Sequence, residues 1–170
     1  RFMVQVKEVS ILDVNTDVIV MSANSSLLAG SGVSGVLHKK AGPELEIAAK
    51  SLGPIKPGES VITPAFDLNS KYVIHTVCPR FFRGTDEEIA LLASAYKTAL
   101  DTFDQLENVN SIAFVSMGTG IYRWPIELAA DIAIKELKKS RYEKTIMCVV
   151  DSKMKAMYES KLTPSFLVSS

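Results

Sequence analysis

The stretch Val20-Met21-Ser22-Ala23-Asn24-Ser25-Ser26-Leu27-Leu28-Ala29-Gly30-Ser31-Gly32-Val33-Ser34-Gly35-Val36-Leu37-His38 runs from an apolar strand into a helix through a loop of small residues. Such a junction suits phosphate. A helix N-terminus carries unpaired backbone N–H groups and a partial positive charge, and glycine lets an anion approach them without meeting a Cβ. Ser31 and Ser34 add hydroxyl donors beside Gly30 and Gly32. Gly30, Gly32 and Gly35 also spell G-x-G-x-x-G, the spacing of a dinucleotide-binding unit, but the context argues against that reading. The fingerprint follows its strand directly and is answered by an acidic residue about 20 positions on, at the end of a second strand. Here Ala23 to Ala29 intervene, and the region around Gly53-Pro54 reads as a helix end and a turn. The Gly-Lys-Ser/Thr of a P-loop is missing. From this segment alone, a tight strand-to-helix turn without a ligand stands as the alternative.

Outward from this loop, strand-like runs alternate with helical patterns, the signature of an α/β layer architecture. Strands are expected near Phe2–Lys7, Val18–Met21, Ser60–Thr63, Tyr72–Val77, Ile112–Val115 and Thr145–Val150. Val18–Met21, Ile112–Val115 and Ile146–Val150 are apolar without alternation, as in central strands covered on both faces. A helix after Thr85 opens with a capping box, Thr85 with Glu88, and places Ile89, Leu92, Tyr96, Ala99, Leu100, Phe103 and Leu106 on one face. Another begins with Pro125 in its first turn and buries Ile126, Ala129, Ala130, Ala133 and Leu137. Shorter helices are expected at Val33–Lys40, Glu44–Ser51 and Lys153–Lys161. The predicted fold is a three-layer α/β/α sandwich around a mixed, mostly parallel sheet, with its ligand cleft at the C-terminal ends of the central strands.

A chain of 170 residues is long enough to bury about two-thirds of its unfolded surface in one core. One domain over residues 1–162 with a tail at 163–170 is expected. The start at Arg1 and the trailing Thr163-Pro164-Ser165-Phe166-Leu167-Val168-Ser169-Ser170 leave open whether the chain is a piece of a longer polypeptide. The 19 basic residues equal the 19 acidic ones, so no global positive field drives sequence-independent nucleic-acid binding. Cys78 and Cys148 stand apart in apolar strands and read as buried free thiols, with neither a disulfide framework nor metal-ligand spacing. No apolar run reaches the length of a membrane span, and Arg1 to Val6 alternates as a strand rather than a signal peptide. An intracellular, cytoplasmic protein is expected.

Read with Tyr72-Val73-Ile74-His75-Thr76-Val77 and Ser111-Ile112-Ala113-Phe114-Val115-Ser116-Met117-Gly118-Thr119-Gly120-Ile121-Tyr122-Arg123-Trp124-Pro125, the glycine loop resembles that of the macro domain family. The resemblance covers nearly the whole chain, through Ala41-Gly42-Pro43-Glu44-Leu45, the Pro57-Gly58-Glu59 turn and Val61-Ile62-Thr63-Pro64 to Val149-Val150-Asp151. It implies the macro fold and recognition of ADP-ribose, free or attached to protein, with no resident cofactor and no metal. In that family the two loops grip the pyrophosphate from opposite sides. The resemblance places Ala23, Gly30, Ser31, Gly32, Val33 and Ser34 on one side, and Ser116, Gly118, Thr119, Gly120, Ile121 and Tyr122 on the other. Asn24 matches the last Asn of the family's Asn-Ala-Ala-Asn, which contacts the distal ribose, while Ser10, Ile11 and Val150 fall near the adenine. A turn asparagine bonding its own backbone is the alternative for Asn24.

The departures bear on function. Met21 and Ser22 stand where the family has its first Asn and Ala. Val33-Ser34-Gly35 replaces the Val-Asp-Gly of hydrolytic members, and a serine has no ionisable carboxylate with which to activate water. His38 and His75 read as core or supporting histidines rather than substitutes. Val9-Ser10-Ile11 replaces Gly-Asp-Ile, whose Asp accepts from the adenine amine. A neutral acceptor there gives about 0.5–1.5 kcal/mol against about 1.5–3 for a charged one, roughly a tenfold loss in affinity. Val150 replaces an aromatic residue, Gly118 a Ser and Arg123 a Gly. Arg123 either pairs with the pyrophosphate or an acid on the substrate, or points into water, and Tyr122 and Trp124 either flank the distal ribose or pack. The expected function is therefore an ADP-ribose reader. The alternative is an ADP-ribosyl hydrolase or O-acetyl-ADP-ribose deacetylase using Asn24 and Ser34, so enzyme activity stays open. A third reading, a nucleotide or poly(A)-type RNA binder, lacks a basic surplus to support it.

Overall fold

The computed structural model describes residues 4–120, 122–140 and 144–162. The first residues of the expected N-terminal strand, Ile121 and the tail at 163–170 lie outside the described residues. Six strands, β1 (Val4–Glu8), β2 (Val18–Ser22), β3 (Ser60–Pro64), β4 (Tyr72–Thr76), β5 (Ser111–Val115) and β6 (Lys144–Val149), form one sheet in the order β1-β6-β5-β2-β4-β3. All neighbours pair in parallel except β3 with β4, which is antiparallel. The expected mixed, mostly parallel sheet is thus present.

Among the described residues five helices cover it: α1 (Gly32–Ala41), α2 (Pro43–Lys50), α3 (Asp86–Asp104), α4 (Ile126–Leu137) and α5 (Ser152–Leu162). Successive side chains of a strand leave opposite faces of the sheet, and the central strands use both. Val18, Val20, Ile74, Ile112, Phe114 and Met147 pack with Leu92, Tyr96 and Phe103 of α3, Ala129, Ala133 and Leu137 of α4, and Met154 and Tyr158 of α5. Ile19, Met21, Val73, Ala113, Ile146 and Cys148 face the other way, onto Leu37 and Ala41 of α1 and Leu45 of α2. The sheet is therefore the middle of three layers, and β2, β4 and β5 are sealed on both sides. Burying one such aliphatic side chain contributes about 1.5–3 kcal/mol, so the unalternating apolar runs are held firmly at the centre.

Two helix starts differ in detail from the sequence expectation. Pro125 precedes α4 as its N-cap with ψ 135°, an extended residue rather than a member of the first turn. The capping box at α3 is present on one side, where the Thr85 side chain accepts from the Glu88 N–H at 3.2 Å. The Glu88 carboxylate reaches past the Thr85 amide and accepts instead from the N–H groups of Phe82, Arg83 and Gly84. Asp104 ends α3, so Leu106 packs against the core from beyond the helix. Cys78 and Cys148 are free and buried, as expected.

Candidate functional site

The parallel strands β2 and β5 are neighbours, so the loops leaving their C-terminal ends emerge side by side. Between them opens a cavity of about 440 Å³. Its first wall is Ala23, Asn24 and the run Gly30 to Ser34, with Met21 and Ser22 at its base. Its second wall is Val115, Ser116, Gly118, Gly120 and Tyr122. The fold thus brings most of the sequence-selected residues to one place.

The first wall is an uncapped helix N-terminus. Ser31 is the N-cap of α1 but makes no side-chain cap bond, and the first helical N–H to find a partner is that of Gly35, on Ser31 O at 3.2 Å. The amides of Gly32, Val33 and Ser34 are the orphan donors of the first turn, free to receive an anion. Gly30 and Gly32 take positive φ, 66° and 63°, and a Cβ on Gly32 would meet nothing within 4 Å because it would enter open space. At Gly35 a Cβ would stand 2.8 Å from Gly30 O, so this glycine lets the helix close directly on the loop.

The loop is held from several sides. The Asn24 amide spans it, donating to Leu28 O at 2.9 Å and accepting from Leu28 N–H at 3.0 Å. Asn24 is therefore the turn asparagine of the alternative reading and, at the same time, part of the cavity wall. Leu27, inside this clasp, is buried at φ 59°. The peptide groups flanking Ala29 are pinned at both ends, its N–H donating to the Glu46 carboxylate of α2 and its carbonyl accepting from Ser34 Oγ at 2.7 Å. Glu46 carried no sequence signal for this role; it arrives because α2 packs beside the loop. The Ser34 hydroxyl is committed to the backbone, where an ionised carboxylate has no proton to donate.

In the second wall, Gly118 has φ 91°, and a Cβ there would lie 2.7 Å from Trp124 Cδ1. Trp124 is buried, with Nε1 donating to Pro79 O at 2.8 Å, so of the two aromatics it is the packing one. Tyr122 is half-buried and faces the cavity. Arg123 is exposed, outside the wall, with φ 63°, a conformation that suits the glycine it replaces. Ser116 bonds Tyr158 through their hydroxyls and lies 3.4 Å from the Thr119 hydroxyl, which stays off the wall.

Ser10, Ile11 and Val150 also lie outside this wall. Ser10 caps a short 3-10 turn by accepting from Leu12 N–H at 3.2 Å, Ile11 is buried in that turn, and Val150 is 76% exposed past the end of β6. Since Glu8 of β1 is paired with Val149 of β6, these residues leave the same edge of the sheet as the two loops.

His75 is fully buried and its Nε2 lies 2.9 Å from Thr63 Oγ1, while burial pushes its pKa down to about 4. His38 is also depressed by burial, which the nearby Glu46 carboxylate partly opposes. The Nδ1 atoms of both rings are buried and make no hydrogen bond among the described residues, so His75 is a core histidine satisfied at Nε2 alone. Their rings stand 6.2 Å apart, His38 on α1 and His75 on β4, and neither belongs to the cavity wall. Among the described residues no three His, Cys, Asp or Glu side chains are placed to hold a metal ion, and no helix is long and apolar enough to cross a membrane.

The family model of the macro domain matches residues 20–133, which include both loops. The chain belongs to the macro domain family. A macro domain-containing protein of Ralstonia nicotianae is 40% identical over 148 residues, 86% of each chain. A protein of Cronobacter turicensis named O-acetyl-ADP-ribose deacetylase is 44% identical over 136 residues, 78% of this chain and 77% of that one. Among solved structures, an Oceanobacillus iheyensis macrodomain with ADP superposes with TM-score 0.86 at 33% identity, covering 96% of this chain and 90% of that one. A Trypanosoma brucei macrodomain in complex with ADP-ribose superposes with TM-score 0.84 at 26% identity, covering 94% and 69%. The departures of this macro domain are consequently substitutions within an unaltered framework.

Proposed function

We propose that this macro domain binds ADP-ribose, free or attached to protein, in the cavity between the β2 and β5 loops. The observation that carries the reading is the uncapped first turn of α1, whose orphan amides at Gly32, Val33 and Ser34 face a second loop across about 440 Å³. The pyrophosphate sits between these amides and the loop from Ser116 to Tyr122. Asn24 meets the distal ribose with the amide hydrogen that Leu28 leaves free, and Tyr122 covers it. The adenine extends along the sheet edge toward Ser10, Ile11 and Val150. A calorimetric titration with ADP-ribose, ADP and AMP tests this. Preferential binding of ADP-ribose supports the reading, and equal binding of all three overturns it.

The Cronobacter relative's name supports hydrolysis of an ADP-ribose ester as a second reading. Against it, the cavity wall contains no carboxylate, histidine or cysteine among the described residues, and hence no side-chain base suited to water activation near neutral pH. Turnover then requires water oriented by the bound substrate itself. Release of ADP-ribose from a modified protein, followed over time, separates reader from hydrolase.

A further inference from the structure

On the other side of Tyr122 lies a second hollow, of about 610 Å³, and Tyr122 belongs to the walls of both. The partition between them is thin. Ser25 in the second wall is the chain neighbour of Asn24 in the first, and Cys78 Sγ in the second lies 3.4 Å from Ser22 Oγ in the first. A group joined to a ribose placed at Asn24 and Tyr122 would leave the first cavity at this partition.

The second hollow is built for contact. The Arg80 guanidinium lies over the Tyr122 ring, 5.6 Å from its centroid, and forms no ion pair among the described residues. Phe82 is 73% exposed. Its loop is nevertheless fixed, because the N–H groups of Phe82, Arg83 and Gly84 all donate to the Glu88 carboxylate, at 2.8, 3.2 and 3.1 Å. A loop whose backbone is already held loses little further freedom when a partner covers it. Pro57 and Leu91 add apolar surface to the wall. The wall holds two carboxylates, Glu87 and Glu88, to one guanidinium; the Glu88 oxygens are turned to those amides, and Arg80 is the charged group that lies against Tyr122 at the partition.

We propose that this hollow holds the polypeptide segment flanking an ADP-ribosylated side chain, with Arg80 pairing a carboxylate next to the modified residue and Phe82 covering an apolar neighbour. The proposal rests on the first cavity being the ADP-ribose site. Free ADP-ribose fills only the first hollow, whereas a modified peptide fills both.

Three probes test it by calorimetry: free ADP-ribose, a short peptide carrying ADP-ribose through a hydrolysis-resistant linkage with a glutamate beside it, and the same peptide unmodified. The modified peptide is expected to bind about tenfold tighter than free ADP-ribose. Phe82→Ala and Arg80→Glu each remove most of that gain and leave the affinity for free ADP-ribose within about twofold. Exchanging the peptide's glutamate for lysine removes the gain in the natural protein and restores it in Arg80→Glu. Equal affinity for modified peptide and free ADP-ribose overturns the proposal while leaving the ADP-ribose site intact, as does a gain that survives both substitutions. Failure of free ADP-ribose to bind overturns the reading of the first cavity and this one with it.

Discussion

Trp124 occupies the space that a side chain on Gly118 would need: a Cβ there would lie 2.7 Å from Trp124 Cδ1 and 3.1 Å from Cγ. With φ at 91° as well, this position excludes other residues twice, by backbone conformation and by contact with a buried ring. The usual Ser of the family therefore does not fit this chain as it is packed here. Gly118→Ala is expected to cost about 2–4 kcal/mol, combining strain at positive φ with overpacking. Denaturant unfolding measures the loss, and a variant as stable as the parent would show that Trp124 moves freely.

Gly32→Glu separates the ligand site from the fold. The added side chain enters open space, so only the positive φ of 63° penalises folding, by about 1 kcal/mol. Its carboxylate then stands in the first turn of α1, against the phosphates. ADP-ribose binding should fall below detection by calorimetry while the melting temperature drops by only about 2–4 °C. Retained affinity in the folded variant would place the pyrophosphate elsewhere.

Ser34 acts by shaping the loop through its bond to Ala29 O. Ser34→Ala leaves that carbonyl without its donor, and affinity for ADP-ribose should fall about fivefold, equivalent to roughly 1 kcal/mol. Ser34→Thr keeps the hydroxyl and should restore it. Any hydrolytic activity should show the change in KM rather than kcat. A selective loss of kcat in Ser34→Ala would instead give this hydroxyl a part in the chemistry.

His75 makes stability depend on pH. Its folded pKa, about 4, lies below the ordinary 6.5, so the unfolded chain binds the proton more tightly. The stabilisation is complete above pH 6.5 and is lost as pH falls toward 4, by about 3 kcal/mol. His38, depressed in the same direction, adds to the slope. Unfolding free energies measured from pH 7 to 4 should fall less steeply in His75→Gln than in the natural protein. Parallel curves would show that His75 binds its proton as tightly in the fold as in the unfolded chain.

Secondary structure and the phosphate loop were legible in the chain because each depends on neighbours in sequence. Unalternating runs at β2, β5 and β6 mark strands buried on both faces, and glycines before an apolar helical pattern mark a loop that opens an α-helix. Side-chain roles within the site were not legible, because they depend on elements that meet only after folding. Asn24 turns to Leu28, Glu46 reaches Ala29 from α2, and Trp124 closes over Gly118. Arg80, 42 residues before Tyr122, lies against its ring only because β4 and β5 both flank β2. Local propensity and periodicity thus determined the elements and their order, whereas the direction of each polar group was decided by tertiary packing, which leaves a buried donor few acceptors to choose from.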